Sequence, residues 1–207
     1  MEAVLIDYGA GNLHSVAKAL AAAGFAVRRA ERPEEAEGAR VMVLPGQGHF
    51  RQVMAAFLAS GFVPVVREHL AAERPFLGIC VGLQLLLEGS EEAPGIPGLG
   101  LVAGAVKRFP AGEVSVPQMG WNQLHKKGDP PLLAGVPDGS FVYFANSYYA
   151  EFSDRAPGAV SQYGPVRFQS ALSRGTLCAT QFHPEKSQRV GLQVLANFRA
   201  IAQRAAL

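Results

Sequence analysis

The sequence predicts an α/β fold: a single domain built on a largely parallel open sheet flanked by helices, with a more antiparallel C-terminal half. Three observations point there. Short apolar runs alternate with helical patterns as far as Gly89, the signature of strands joined by helical crossovers. Beyond Gly89 the runs shorten and Gly/Pro turns recur between them. No linker or internal repeat divides the 207 residues, a length that suits one ordinary domain.

The elements follow in order. Ala3–Ile6 reads as a buried strand. Tyr8-Gly9-Ala10-Gly11-Asn12 is a glycine-rich turn, with Asn12 placed to cap a helix. Leu13, Val16, Ala17 and Leu20 follow at helical spacing, and Gly24 stops that helix. Phe25–Val27 is a second strand. Val41–Leu44 is a third, and it ends in Pro45-Gly46-Gln47-Gly48. Helices are expected around Phe50–Leu58 and Val65–Ala72. Phe76–Ile79 is a fourth strand, and Val81–Leu87 starts another helix. In the second half Leu101–Val106, Phe141–Ala145, Ala159–Val160, Val166–Phe168 and Cys178–Phe182 read as strands. Ser187 is expected to cap a last helix that runs through Ala202.

Composition narrows the function classes. Apolar residues make up 49% of the chain, which excludes long disorder. The net charge of +2, with no Lys/Arg cluster, argues against nucleic acid as a partner. No apolar run reaches the roughly 18 residues of a membrane span. The N-terminus lacks the basic region and cleavage site of a signal peptide. These features predict a cytoplasmic protein that binds no membrane. Its two cysteines, Cys80 and Cys178, are then expected as free thiols. Cys178 reads as core. His14, His49, His69 and His125 show no metal-ligand spacing.

Gly78-Ile79-Cys80-Val81-Gly82 stands where a buried strand meets a helix. A sharp strand-to-helix turn thrusts its central side chain out above the sheet, and flanking glycines leave room for it. The helix start places partial positive charge near the sulfur and favours the thiolate. Thr180-Gln181-Phe182-His183-Pro184-Glu185 closes the last strand. Pro184 disfavours the α region at His183. In an extended segment His183 and Glu185 would project to the same side. Thiol, imidazole and carboxylate together match nucleophile, general base and orienter. Pro45-Gly46-Gln47-Gly48 also follows a strand. Its backbone N–H at Gln47, with that of Val81, could face a developing oxyanion. Taken singly, each piece has an ordinary reading: a buried strand-end Cys, a surface His-Pro turn, a Pro-Gly turn.

With these motifs in this order, the chain resembles the class I (triad) glutamine amidotransferases. Asp7–Leu13, Pro117–Asn122 and Tyr143–Tyr149 make it similar to the glutaminase subunits of imidazole glycerol phosphate synthase. The resemblance runs from the first strand to the last helix. It implies one flavodoxin-like glutamine amidotransferase domain over residues 1–207. It also implies an enzyme of histidine biosynthesis that hydrolyses glutamine through a thioester on Cys80, with His183 moving protons and Glu185 orienting it. Ammonia would pass to a separate (β/α)₈-barrel cyclase subunit in a heterodimer. The cyclase would make imidazole glycerol phosphate and an aminoimidazole carboxamide ribotide. No metal and no organic cofactor is implied. Gly46, Gly48, Gln84, Ser147 and Tyr148 match substrate-binding positions. Asn12, Trp121, Tyr143 and Lys186 match positions at the subunit interface.

Two positions depart from the family pattern. Asn146 stands where His is usual, and it cannot titrate. Gln47 replaces an apolar residue in the loop whose peptide is expected to flip. The residues alone leave other readings open: an amidotransferase serving another synthase, a stand-alone thiol amidohydrolase, or a silent binding subunit.

Overall fold

The computed structural model describes residues 1–152 and 156–206. The first half runs β1 (Glu2–Ile6), α1 (Leu13–Ala22), β2 (Ala26–Ala30), β3 (Met42–Gly46), α2 (Phe50–Ala59), α3 (Phe62–Ala71), β4 (Phe76–Cys80) and α4 (Val81–Leu85). The second half runs β5 (Gly89–Ser90), β6 (Gly104–Arg108), β7 (Gln118–Gln123), β8 (His125–Lys127), β9 (Phe141–Asn146) and β10 (Tyr148–Phe152). It continues with β11 (Gly158–Tyr163), β12 (Val166–Arg174), β13 (Leu177–Thr180) and α5 (Gln188–Arg204). Among the described residues, no single helix is long and apolar enough to cross a membrane.

The main sheet has the order β2-β1-β3-β4-β13-β12-β10-β6-β5, with β11 and β8 continuing from β12. The steps from β2 to β13 are all parallel. The hydrogen-bonded steps around β12, β10 and β11 are antiparallel. A second sheet pairs β7 with β9. Strands β3 and β4 are buried at every position, as central strands covered on both faces must be. The edge strand β2 instead carries Arg28 and Arg29 and is largely open to solvent, which blunts an exposed edge. Helix α5 buries Gly191, Val194, Leu195, Phe198, Ile201 and Ala202 along one face, the stripe of an amphipathic helix.

The elements of the first half lie close to their expected places, and the differences have local causes. β3 and β4 extend through Gly46 and Cys80, because their pairing continues to Gly46 opposite Cys80. α4 already stops at Leu85. Leu86 and Leu87 are fully buried, and their carbonyls accept from the turn at Gly100–Val102. The strand expected at Leu101–Val106 begins instead at Gly104. Strand β13 ends at Thr180. β5, β7, β8 and β10 were not expected as strands. They are short or carry polar residues, and their partners lie far along the chain.

Ser187 precedes α5 but its side chain caps nothing. Its hydroxyl donates to the His183 carbonyl at 2.6 Å and accepts from the Tyr143 N–H at 2.9 Å. The capping role predicted for it gives way to tying strand β9 to the turn before α5.

Two glycines permit backbone approaches that a side chain would block. A Cβ on Gly82 would stand 2.0 Å from the Leu44 carbonyl oxygen, and one on Gly191 would stand 1.9 Å from that of Pro184. The first contact seats α4 on β3, and the second seats α5 on the His183 turn. Overpacking ordinarily costs about 1–3 kcal/mol. Gly82→Ala and Gly191→Ala are each expected to cost about 3 kcal/mol or more, since backbone cannot yield as a side chain can. Urea unfolding of the two variants checks this, and a loss well under about 1 kcal/mol would contradict it.

Candidate active site

Cys80 is the last residue of β4 and immediately precedes α4. Its φ of 54° and ψ of −110° place it in a region that a residue with a Cβ rarely adopts. The strain is fixed from both sides. β4 is paired with β3 and β13, and the first turn of α4 presses Gly82 against Leu44. The side chain therefore leaves the carboxyl end of the sheet, where open parallel sheets collect ligands. Cys80 is 3% exposed.

His183 arrives from the segment after β13. Its N–H donates to the Tyr143 carbonyl at 2.9 Å, so strand β9 holds it from outside. His183 is extended, with φ −94° and ψ 99°, as a residue before proline should be. Glu185 is not in the same extended run. Pro184–Lys186 form a 3₁₀ turn, and this turn, rather than strand alternation, swings Glu185 under the ring. The proline that keeps His183 extended also starts that turn. The result is a hydrogen bond of 2.8 Å between His183 Nδ1 and Glu185 Oε1, with both side chains almost wholly buried. The imidazole also interacts with the Cys80 side chain.

Burial is the largest single influence on His183 and favours its neutral form. The negative charge of Cys80 and the hydrogen bond to it, then the bond to Glu185 and its charge, outweigh burial and raise the imidazole to about 10. The arrangement is thus a thiol beside an imidazole whose charged form is favoured and which a carboxylate orients. It can attack an electron-poor carbon and hand a proton to a leaving group. Cys178 lies fully buried in β13, and burial pushes its thiol up to about 12, so it is no rival nucleophile.

The remaining expected site residues fall into three groups. Gly46 lies opposite Cys80 in the β3–β4 register, and Val81 begins α4 beside it. Gln47 is exposed, as is Gly48, and both line a pocket of about 400 Å³ with Gly9, Ala10, Gly11 and Gln52. Gln84 is buried, and its amide donates to the Tyr148 carbonyl at 3.2 Å. Ser147 and Tyr148 are half-buried at the turn between β9 and β10. Asn146 donates to the same Tyr148 carbonyl at 2.9 Å. It thus fills its place with a fixed neutral hydrogen bond.

The four expected interface residues are open to solvent in varying degree. Asn12 is exposed at the start of α1, where its side chain accepts from the Ser15 N–H. Trp121 and Tyr143 face each other across β7 and β9 with rings at 6.0 Å and 81°. Lys186 lies 5.7 Å above the Tyr143 ring. Trp121 is 46% exposed, and Met119 and Phe141 beside it are 63% and 54% exposed. Together they form an apolar patch on the small sheet. α1 packs against the Pro184–Lys186 turn, which ties Asn12's helix to the His183 segment. Among the described residues, no group of three or more His, Cys, Asp or Glu is placed to hold a metal ion.

Two residues near the nucleophile carry no expectation from sequence. The Tyr8 hydroxyl is buried and donates to the Pro45 carbonyl at 2.7 Å. Burial first, and the Cys80 charge second, hold it well above the ordinary phenol range. Gln181 is wholly buried, with its amide nitrogen 3.7 Å from Cys80 Sγ. Tyr8 looks like one more turn residue in its motif. Gln181 reads as an interior strand position. Spacing gives no signal for either, because their partners are 37 and 101 residues away.

Comparison with known proteins supplies independent findings. A family model described as "Glutamine amidotransferase class-I" matches residues 4–201. The chain is 56% identical over 200 residues to "Imidazole glycerol phosphate synthase subunit HisH" of Deinococcus radiodurans, covering 96% of this chain and 93% of that one. It is 56% identical over 196 residues to the protein of the same name from Thermus thermophilus, covering 95% and 96%. Among solved structures, "Structure of PurLQS from Thermotoga maritima" superposes with a TM-score of 0.74 at 15% identity, covering 100% and 99%. At that identity the likeness speaks to fold alone.

The charge balance at His183 generates a prediction. In Cys80→Ala both contributions of the Cys80 side chain vanish, while burial still favours neutral imidazole. The His183 midpoint should therefore fall from its raised value of about 10. NMR titration of the ring in wild type and variant measures the change, and an unchanged midpoint would mean that Cys80 is not its charge partner.

Proposed function

This chain belongs to the class I glutamine amidotransferases, and from that premise we propose that it is the glutaminase subunit of an imidazole glycerol phosphate synthase in histidine biosynthesis. The observation that carries the reading is His183 held between the Cys80 thiol and the Glu185 carboxylate in a buried site. The names of the relatives at 56% identity over nearly the full chain support it.

The chemistry proceeds from Cys80 as thiolate and His183 as imidazolium. Cys80 Sγ attacks the side-chain amide carbon of glutamine, and the carbonyl oxygen takes up negative charge. Backbone N–H groups of Val81 and Gln47 are the donors for that oxyanion. His183 gives its proton to the amide nitrogen, the C–N bond breaks, and ammonia leaves a γ-glutamyl thioester. Neutral His183 then takes a proton from water. The hydroxide attacks the thioester carbon, the C–S bond breaks, and glutamate leaves with the thiolate–imidazolium pair restored. Glu185 holds the ring and offsets its charge throughout. Gln84, Gly46, Gly48, Ser147 and Tyr148 bind the amino-acid end of the substrate.

The partner is a (β/α)₈-barrel cyclase that consumes the ammonia in a heterodimer. It would dock over the exposed Trp121 and Tyr143 face, with Lys186 and Asn12 at the same interface. The backbone of Tyr143 is bonded directly to His183 and Ser187, so docking on β9 reaches the catalytic base through one strand.

Ammonia release from glutamine is expected to be negligible for the chain alone and strong with the cyclase and its nucleotide ligand. Activity that is strong alone and indifferent to the cyclase would reject this partner. Cys80→Ala is expected to abolish glutamine-dependent synthesis by the complex and to spare synthesis from added ammonium. If both are lost in an assembled complex, transfer of ammonia between the subunits is wrong.

A further inference from the structure

Gln181 has no part in the steps above, yet it touches both the nucleophile and a substrate-pocket residue. Its amide oxygen accepts from Gln84 Nε2 at 3.1 Å, and its amide nitrogen lies 3.7 Å from Cys80 Sγ. Gln84 Nε2 also donates to the Tyr148 carbonyl at 3.2 Å. Gln181 is 0% exposed and Gln84 is 3% exposed, so water offers neither amide a ready alternative partner.

The direction of this chain of bonds is not free. A backbone carbonyl can only accept, so the end of the Gln84 amide facing Tyr148 must be nitrogen. That nitrogen has two hydrogens. One goes to Tyr148 and the other to Gln181, which must therefore present its oxygen to Gln84. The Gln181 NH₂ is then left facing the sulfur. A carbonyl three links away sets a donor, rather than an acceptor, against Cys80. A donor favours thiolate over thiol, because bonds to a charged acceptor are stronger than bonds to a neutral one.

We propose that Gln181 is a positioning residue for the nucleophile: it gives the Cys80 thiolate a second donor besides His183, and Gln84 locks its amide in the orientation that does so. The pocket that receives glutamine thereby also orders the sulfur that attacks it. The proposal rests on Cys80 being the nucleophile and deepens that reading.

The test is alkylation of Cys80 by iodoacetamide in the purified full chain, with the adduct placed by peptide mapping. Rates are compared from about pH 6 to about pH 9 for wild type, Gln181→Glu and Gln181→Met. Glu keeps an acceptor for Gln84 but faces the sulfur with an oxygen. Met is of similar size and keeps neither bond. At pH 7 each variant is expected to react about tenfold more slowly than wild type, the effect of one hydrogen bond to a charged group. At the alkaline end the Met variant should regain the wild-type rate, because the thiolate then forms without help. In the glutaminase assay with cyclase, kcat should fall in both variants. KM for glutamine should rise more in Gln181→Met, where Gln84 is also released.

Wild-type alkylation rates at all pH values would overturn the proposal. Equal slowing at every pH would also overturn it, since that marks lost access to the sulfur. If one variant fails to fold, the other decides. Gln84→Met leaves residue 181 intact and frees its amide to turn over, so it should slow alkylation at pH 7 in the same direction. Alkylation requires neither glutamine nor cyclase. It therefore reads the thiol even if the ammonia assays reject the functional assignment.

Discussion

The backbone at Cys80 turns from strand to helix in one residue, at a φ of 54°. Residues held so far from the usual basins cost about 1–3 kcal/mol each. That cost persists only where the surroundings leave no choice. Here β4 is paired with β3 through Cys80 and with β13 through Ile79. The next turn of chain is pinned by the approach of Gly82 to Leu44. Relaxing Cys80 would mean breaking sheet pairing in the most buried part of the molecule. The strained turn aims the sulfur out of the carboxyl end of the sheet, and the rest of the candidate site is organised around where it points.

A second constraint brings the base to that point. His183, Tyr143 and Ser187 form a closed ring of bonds. The His183 N–H donates to Tyr143, the Tyr143 N–H donates to Ser187, and the Ser187 hydroxyl donates back to His183. Gly191 lets α5 press on the Pro184 carbonyl behind this ring. The imidazole is thus held from the β9 side and from the α5 side. Its remaining freedom, rotation about the side chain, is taken up by Glu185. Burial alone would discharge such a histidine. Its neighbours keep it charged.

The two constraints meet across the sheet in the pair Gln84 and Gln181. Each is a neutral amide beside the candidate triad, and each has its orientation dictated by a neighbour. Buried polar networks of this kind are specified as a unit, because one reversed amide would set like against like along the chain. Met119, Trp121 and Phe141 are exposed on the small sheet, and Trp121 and Phe141 share a pocket with Ser187 and Gln188. Tyr143, whose carbonyl accepts from the His183 N–H, pairs across the small sheet with Trp121 of that patch.

Sequence by itself determined the class of fold, the order of elements in the parallel half and the three residues of the candidate triad. These are local matters. A buried strand shows as an apolar run, an elbow shows as glycines two residues either side of a cysteine, and His-Pro-Glu lies within three positions. It placed Glu185 correctly for an incorrect reason, since the 3₁₀ turn and not strand alternation brings the carboxylate under the ring. It gave Ser187 a capping role that its hydroxyl is not free to perform. Only the tertiary structure decided that Gln181 faces the sulfur, that Tyr8 holds the Pro45 carbonyl, and that Gly82 and Gly191 are contact points. The physical reason is the same in each case. Periodicity and spacing record which face of its own element a residue occupies, whereas these contacts join segments that only the closing of the sheet brings within a few ångströms.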